Sequence, residues 1–175
     1  VIIGTKLKEL GDNNFRIGRS QYLVLEADEY AKSFHNYFPK IAVLTNIDRE
    51  HLDIYKNLNG VLAGFKKFLK NVDSGGWIVA NKEDKNIKKV LNPKPHTLNP
   101  KIVWYGKGNH KLAIPGVHNQ FNAEAAWQAA KLLGIKKAVA EKILKSYTGA
   151  WRRLERLNPK PYTLKAILYS DYAHH

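Results

Sequence analysis

The stretch Tyr22–Tyr55, YLVLEADEYAKSFHNYFPKIAVLTNIDREHLDIY, decides how this chain is read. It holds two short apolar runs, Tyr22–Leu25 and Ile41–Leu44, and each ends in polar residues able to bind a ligand. The first runs into Glu26-Ala27-Asp28-Glu29. The second runs into Thr45-Asn46-Ile47-Asp48, with Glu50, His51 and Asp53 just beyond. Short apolar runs without alternation suit strands buried on both faces. Two such strands delivering carboxylates and a histidine from their carboxyl ends predict the ligand-binding edge of a parallel α/β sheet.

Working outward, the pattern stays α/β. Val1–Thr5 is β-branched, and Lys6–Ser20 reads as a polar connection turning at Gly11-Asp12-Asn13-Asn14. Tyr30–Phe38 is mixed, with room for one helical turn before Pro39. Leu58, Val61, Leu62, Phe65, Phe68 and Leu69 recur at spacings of three and four, which predicts an amphipathic helix over Asn57–Asn71. Trp77–Ala80 and Ile102–Tyr105 read as further strands, Lys82–Leu91 as a short basic helix, and Leu112–Ile114 as a possible strand. The prolines at 93, 95 and 100 make Asn92–Pro100 a loop. An alanine-rich helix is expected over Asn119–Leu133, stopped by Gly134, then a second over Lys136–Tyr147 and a strand over Tyr162–Tyr169. Strands alternating with helices predict a doubly wound, mostly parallel sheet with helices on both faces.

Composition narrows the function classes. The chain has 175 residues, 44% of them hydrophobic, enough for a packed core. No apolar run nears the ~18–20 residues needed to span a bilayer, so no membrane partner is expected. The absence of cysteine excludes disulfides and thiolate metal sites. The absence of methionine, even at position 1, suggests an internal piece of a longer protein. Twenty-nine Lys and Arg against 15 Asp and Glu give a net charge of +14, which favours anionic ligands. The lysines are scattered, with no basic stripe interleaved with aromatics, so nucleic acid is not the expected partner.

Four groups of residues carry chemistry. Glu26 and His51 at neighbouring strand ends could hold a divalent ion, or could be a surface carboxylate and a loop histidine. Asp28, Glu29, Asp48, Glu50 and Asp53 crowd the same two loops, a local reversal of charge in a basic chain. His118, Asn119 and Asn122 stand at a helix start, where free N–H groups favour anions; Asn119 could equally be an N-cap. Arg152 and Arg153 could pair with phosphate, or with Glu155. Asp171-Tyr172-Ala173-His174-His175 could touch phosphate or metal. No Gly-x-x-x-x-Gly-Lys-Ser/Thr loop occurs within the chain.

These motifs, in this order, resemble the Mur ligase family. Glu26-Ala-Asp-Glu-Tyr30 followed by Thr45-Asn-Ile-Asp48, His51-Leu-Asp53 and Tyr55 is similar to the family's E-A-(D/C)-E-(Y/S) and T-N-I-(E/D)-x-x-H-x-D-x-Y. Pro115-Gly-Val-His-Asn119 with Asn122 resembles P-G-x-H-N-x-x-N, Arg152-Arg-Leu-Glu155 resembles R-R-F-E, and Asp171-Tyr-Ala-His-His175 resembles D-D-Y-(A/G)-H-H-P-T. The resemblance implies a central ATP-binding domain over residues 1–149, with its phosphate loop lying upstream, and the start of a C-terminal Rossmann-like domain over 150–175. It implies a cytoplasmic, peptidoglycan-synthesising enzyme that uses ATP and Mg2+ to activate UDP-N-acetylmuramate as an acyl phosphate, which L-alanine then attacks. Glu26 would be a magnesium ligand and His51 would act at a second metal or the substrate carboxylate. Asn119 would bind adenine with Asn122 and His118 beside it, Arg153 would contact ATP, and Asp171 its ribose. A tripeptide-recycling ligase and a non-catalytic remnant are the alternatives. The sequence departs from the family at Ser170, and at the connection 107–114, where most members carry a β-rich insert. Without a phosphate loop, this stretch alone is expected not to hydrolyse ATP.

Overall fold

A computed structural model describes residues 1–92, 100–157 and 168–172. In chain order the elements are β1 (Ile2–Leu7), β2 (Asn13–Phe15), β3 (Ile41–Leu44), α1 (Leu52–Tyr55), α2 (Leu58–Leu69), β4 (Trp77–Asn81), α3 (Lys85–Leu91), β5 (Lys101–Tyr105), α4 (Val117–Leu132), α5 (Lys137–Ser146), β6 (Glu155–Leu157) and β7 (Leu168–Ser170). Chain contacts divide them into two compact units. The larger comprises 27–111 and 116–145, the smaller 1–26, 112–115 and 146–175.

The larger unit is built on a parallel sheet of order β3-β4-β5, in register from Ile41 opposite Trp77 and Trp77 opposite Lys101. Each step along the sheet runs the same way. Crossovers of constant hand therefore put α2 and α3 on one face. There Ala42, Leu44, Ile78 and Ala80 pack with Val61, Phe68 and Leu69 of α2 and Ile87 and Val90 of α3. On the opposite face, Val79 and Tyr105 pack with Ala125 of α4, flanked by Phe121 and Leu132. The sheet is thus covered by helices on both faces, as the strand–helix alternation predicts. Ile78, Leu69 and Ile87 are 0% exposed; burying each such side chain stabilises by about 1.5–3 kcal/mol.

The helix ends follow local chemistry. Asn57 caps α2, its Oδ1 accepting from the Gly60 N–H at 3.0 Å. Asp84 caps α3, its Oδ1 accepting from the Ile87 N–H at 2.6 Å. The polar side of α2 carries Lys66 and Lys67, so its one apolar stripe must face the sheet. α4 begins at Val117, two residues before the expected start, because Gly116, at φ 106°, turns the chain into the helix.

Several expectations need correction. Tyr22–Leu25 is not a doubly buried strand: it forms one parallel bridge, Leu25 to Ile2, within the smaller unit. Tyr22, Leu23 and Val24 are 51%, 68% and 56% exposed, because among the described residues no second strand pairs with them and no helix covers them. Among the described residues Leu25 pairs with Ile2, and β3 pairs with β4. Lys6–Ser20 is not merely a connection, since β1 reaches Leu7 and pairs antiparallel with β2. Of the turn expected at Gly11–Asn14, Gly11 and Asp12 fall between the two strands, both at positive φ, whereas Asn13 and Asn14 belong to β2. β3 is buried on alternate residues only, with Val43 42% exposed at the sheet edge. Leu112–Ile114 forms no strand. Most of the expected loop 92–100, and of the expected strand 162–169 before Leu168, lies outside the described residues, as do His174 and His175.

The smaller unit contains the β1–β2 hairpin and the antiparallel β6–β7 pair. The Trp151 N–H donates to the Lys6 carbonyl at 3.1 Å, and the Thr148 N–H to Glu9 Oε1 at 3.1 Å. The boundary expected after residue 149 falls inside this unit.

Candidate functional site

Beyond the carboxyl end of β3 the chain passes through Thr45–Asp48 and re-enters helix at α1, with His51 in a left-handed conformation (φ 52°) just before it. That bend presents the imidazole to the segment that follows Glu26. His51 Nε2 lies 3.3 Å from Glu29 Oε1, and the Tyr30 ring meets the imidazole edge-on at 5.1 Å between centroids. Asp28 completes the group: one ligand atom from each of Asp28, Glu29 and His51 lies within 4.8 Å of the other two. The two carboxylate oxygens are hard donors of the kind Mg2+ or Mn2+ takes, and the imidazole nitrogen adds one borderline donor. His51 and Glu29 keep a third and a quarter of their side-chain surface open, so an ion and its waters can reach them.

The loop holding these groups is pinned from below. Asp28 Oδ1 accepts from the Tyr30 N–H at 2.8 Å, and the Ser33 hydroxyl donates to the Asp28 carbonyl at 2.7 Å. Tyr55, at the end of α1, donates its hydroxyl proton to the Glu29 carbonyl at 2.6 Å. Burial, helped by the Glu29 and Asp28 carboxylates, pushes the Tyr55 hydroxyl up to about 12. Next to α1 is a cavity of about 390 Å³ lined by Arg49, Leu52, Lys56, Asn57, Leu58 and Asn59.

Glu26 belongs to the smaller unit. Its Oε2 accepts from the Gly4 N–H at 2.7 Å, and its own N–H donates to the Ile2 carbonyl at 2.9 Å. Asn119 is not an N-cap. It is the third residue of α4, its N–H donating to the Gly116 carbonyl at 3.2 Å. His118 precedes it, its ring packed over Gly116, and Asn122 follows one turn later on the same face. All three therefore sit in the first two turns of α4, in the larger unit.

Arg153 and Asp171 are brought together within the smaller unit. Asp171 Oδ1 accepts from the Leu154 N–H at 3.2 Å, next to Arg153 in sequence. The Arg152 guanidinium does not pair with Glu155. It lies over Trp151 at 5.4 Å and Tyr172 at 4.9 Å, while Glu155 accepts the Arg152 backbone N–H at 3.0 Å. Tyr147 is raised above its ordinary pKa by burial and by Glu9, with Arg153 opposing. Tyr30 and Tyr55 stand in the sequence motifs, but no rule of spacing gives them the supporting roles that the geometry does.

The chain matches the family model of the Mur ligase middle domain over residues 11–130. A curated UDP-N-acetylmuramate–L-alanine ligase from Caldicellulosiruptor bescii is 36% identical across the whole chain, and one from Aquifex aeolicus is 34% identical across the whole chain. The chain spans 43% of the length of each. The Caldicellulosiruptor alignment runs over 206 positions, so at least 31 of them have no counterpart in these 175 residues. Among solved structures, the UDP-N-acetylmuramate-alanine ligase of Thermotoga maritima superposes over the full chain and 44% of its own, with a TM-score of 0.78 at 24% identity. A UDP-N-acetylmuramate:L-alanyl-γ-D-glutamyl-meso-diaminopimelate ligase structure from Neisseria meningitides superposes over 69% of this chain and 44% of its own, with a TM-score of 0.60 at 23% identity. With the ordered motifs, the helix-covered parallel sheet and a family match over most of its length, the chain belongs to the Mur ligase middle-domain family.

Proposed function

We propose that this chain is the central part of an ATP-dependent, cytoplasmic ligase that joins L-alanine to UDP-N-acetylmuramate in peptidoglycan synthesis. The observation that carries the reading is the whole-chain similarity to curated UDP-N-acetylmuramate–L-alanine ligases. The gathering of Asp28, Glu29 and His51 beyond the sheet supports it. In this reading residues 1–149 are part of the ATP-binding domain and 150–175 open the next domain.

His51, with Glu29 and Asp28 beside it, would hold a divalent ion in the larger unit, and Glu26 is assigned to a magnesium ion as well. Bound magnesium would neutralise charge on phosphate oxygens during phosphoryl transfer. Asn119 offers both a donor and an acceptor to the adenine edge, with His118 and Asn122 beside it. Arg153 would pair with ATP phosphate, and Asp171 would accept from ribose hydroxyls. Transfer of the terminal phosphoryl group of ATP to the substrate carboxylate, then attack by the alanine amine, forms the amide and releases phosphate.

The test is phosphate release by the full-length protein with ATP, Mg2+ and UDP-N-acetylmuramate, comparing L-alanine with L-alanyl-γ-D-glutamyl-meso-diaminopimelate. Release with L-alanine supports the reading. Release with the tripeptide alone would reassign the chain to a recycling ligase, and release with neither would mark a non-catalytic relative. In the active protein, Glu26→Ala should abolish ligation while UDP-N-acetylmuramate still binds.

A further inference from the structure

In the smaller unit, Arg153 sits in a turn whose backbone is strained on both sides of it. Arg152 stands at φ 56° and Leu154 at φ 44°. Left-handed backbone is unfavourable for side chains of this size, and it persists where surrounding contacts over-determine it. Here those contacts come from the two residues that follow β7. The Tyr172 N–H donates to the Arg152 carbonyl at 2.7 Å, and Asp171 Oδ1 accepts from the Leu154 N–H at 3.2 Å. Within the turn, the Arg153 N–H donates to the Ala150 carbonyl at 3.1 Å, and Glu155 Oε2 accepts from the Arg152 N–H at 3.0 Å.

The Arg152 side chain ties the same segments together. Its guanidinium carbon lies 5.4 Å from the ring centroid of Trp151 and 4.9 Å from that of Tyr172. Trp151 is fixed to β1. Its N–H donates to the Lys6 carbonyl at 3.1 Å, its carbonyl accepts from the Thr5 hydroxyl at 3.2 Å, and the Lys6 ammonium lies over its ring at 5.5 Å. Arg152 thereby connects a tryptophan held on β1 to a tyrosine just beyond β7. A planar guanidinium stacks on aromatic faces in a way that an ammonium does not, so the residue type matters here and not only the charge.

We propose that Arg152 is a positioning residue for nucleotide binding: stacked on Trp151 and Tyr172, it holds the left-handed turn that carries Arg153 against the Asp171 segment. It acts through Arg153. The inference rests on the assignment of Arg153 and Asp171 to ATP in the proposed reaction. Without the stack, the turn loses a contact that opposes the strain at 152 and 154, and Arg153 is no longer held in one direction.

The test uses the full-length protein. Arg152→Ala should raise the KM for ATP about fivefold, as expected from losing cation–π contacts at an exposed site. The KM for UDP-N-acetylmuramate should stay within about twofold. Arg152→Lys keeps the charge without the planar face and should recover little. Trp151→Phe keeps an aromatic face and should stay near the wild type, whereas Trp151→Leu should follow Arg152→Ala. An unchanged KM for ATP in Arg152→Ala overturns the proposal, as does an equal rise in both KM values or full recovery in Arg152→Lys. Amide exchange separates the turn from the reading beneath it. Arg152→Ala should speed exchange at Arg153, Leu154 and Tyr172 and leave β4 alone, whether or not the wild type uses ATP. Unchanged exchange at those three amides overturns the positioning role. A wild type with no ATP-dependent turnover overturns the functional reading, and the nucleotide role with it.

Discussion

The hydroxyl of Tyr55 donates a 2.6 Å hydrogen bond to the carbonyl of Glu29, joining α1 to a segment 26 residues earlier. His51 lies at one end of that link, and Asp28 and Glu29 lie at the other. The ring is 5% exposed and is packed against Gly64. A small α-helix of one turn cannot hold a histidine in place alone; the Tyr55 bond makes the placement tertiary.

Tyr55→Phe therefore tests the support directly. It should cost about 1–2 kcal/mol in urea unfolding, the range for a lost hydrogen bond in a partly buried setting. It should also weaken Mn2+ binding by the full-length protein. A variant equally stable and binding Mn2+ as well as the wild type would show that the link is incidental.

Tyr105 gives a pH signature. Its hydroxyl donates to the Leu44 carbonyl at 3.1 Å inside the sheet, and burial, with the Asp84 carboxylate adding, pushes it from 10.0 up to about 12. The folded state keeps a proton that the unfolded chain gives up. The stabilisation is therefore complete below pH 10 and is lost as pH rises from 10 through about 12. Tyr105→Phe should be about 1 kcal/mol less stable than the wild type at pH 8. The gap should narrow and then reverse above pH 10, because the lysines titrate alike in both proteins. A gap that does not change with pH would remove Tyr105 from the titration.

Gly60 marks a close approach in the first turn of α2. A Cβ there would collide with the Tyr55 carbonyl oxygen, a backbone atom that cannot swing aside. Alanine is ordinarily the better helix residue by about 1 kcal/mol, yet overpacking against backbone costs about 1–3 kcal/mol. Gly60→Ala should therefore be net destabilising in thermal unfolding and should disturb α1. A stabilised variant would show that the Tyr55–Gly60 turn relaxes freely.

What could be read from the sequence follows from how local each signal is. The α2 stripe is a pattern within one element, and it appears where the spacing puts it; Asn57, read as the first residue of that helix, is its cap. β4, buried between two strands, keeps its apolar run. Tyr22–Leu25 carries the same apolar signal but fails, because burial depends on neighbours that the run does not itself encode. Asp28 and Glu29 were legible as part of an acidic crowd, but their meeting with His51 depends on the left-handed turns at Ala31, Lys32 and His51. The hydrogen bonds of His110 with Gln120 and Glu124 have no periodicity to betray them, since they exist only once a loop folds back on its following helix.

Glu29 decides whether the Asp28–Glu29–His51 group is a cation site or a surface ion pair. Without metal, its 3.3 Å contact with His51 is part-exposed and screened, and the Asp28 carboxylate stands next to it. Removing that charge should then change stability by no more than about 0.5 kcal/mol. With metal, the carboxylate is a ligand, and an ion that binds only the folded state stabilises it by about 2.7 kcal/mol at a hundredfold excess over its dissociation constant. Glu29→Gln should thus melt with the wild type in chelator and fall behind it as Mg2+ or Mn2+ is added to the full-length protein. Asp73→Asn, at a turn whose carboxylate accepts from the Gly75 N–H, should keep the full metal-dependent rise. An equal rise in Glu29→Gln would place the ion elsewhere and leave His51 with a purely local partner.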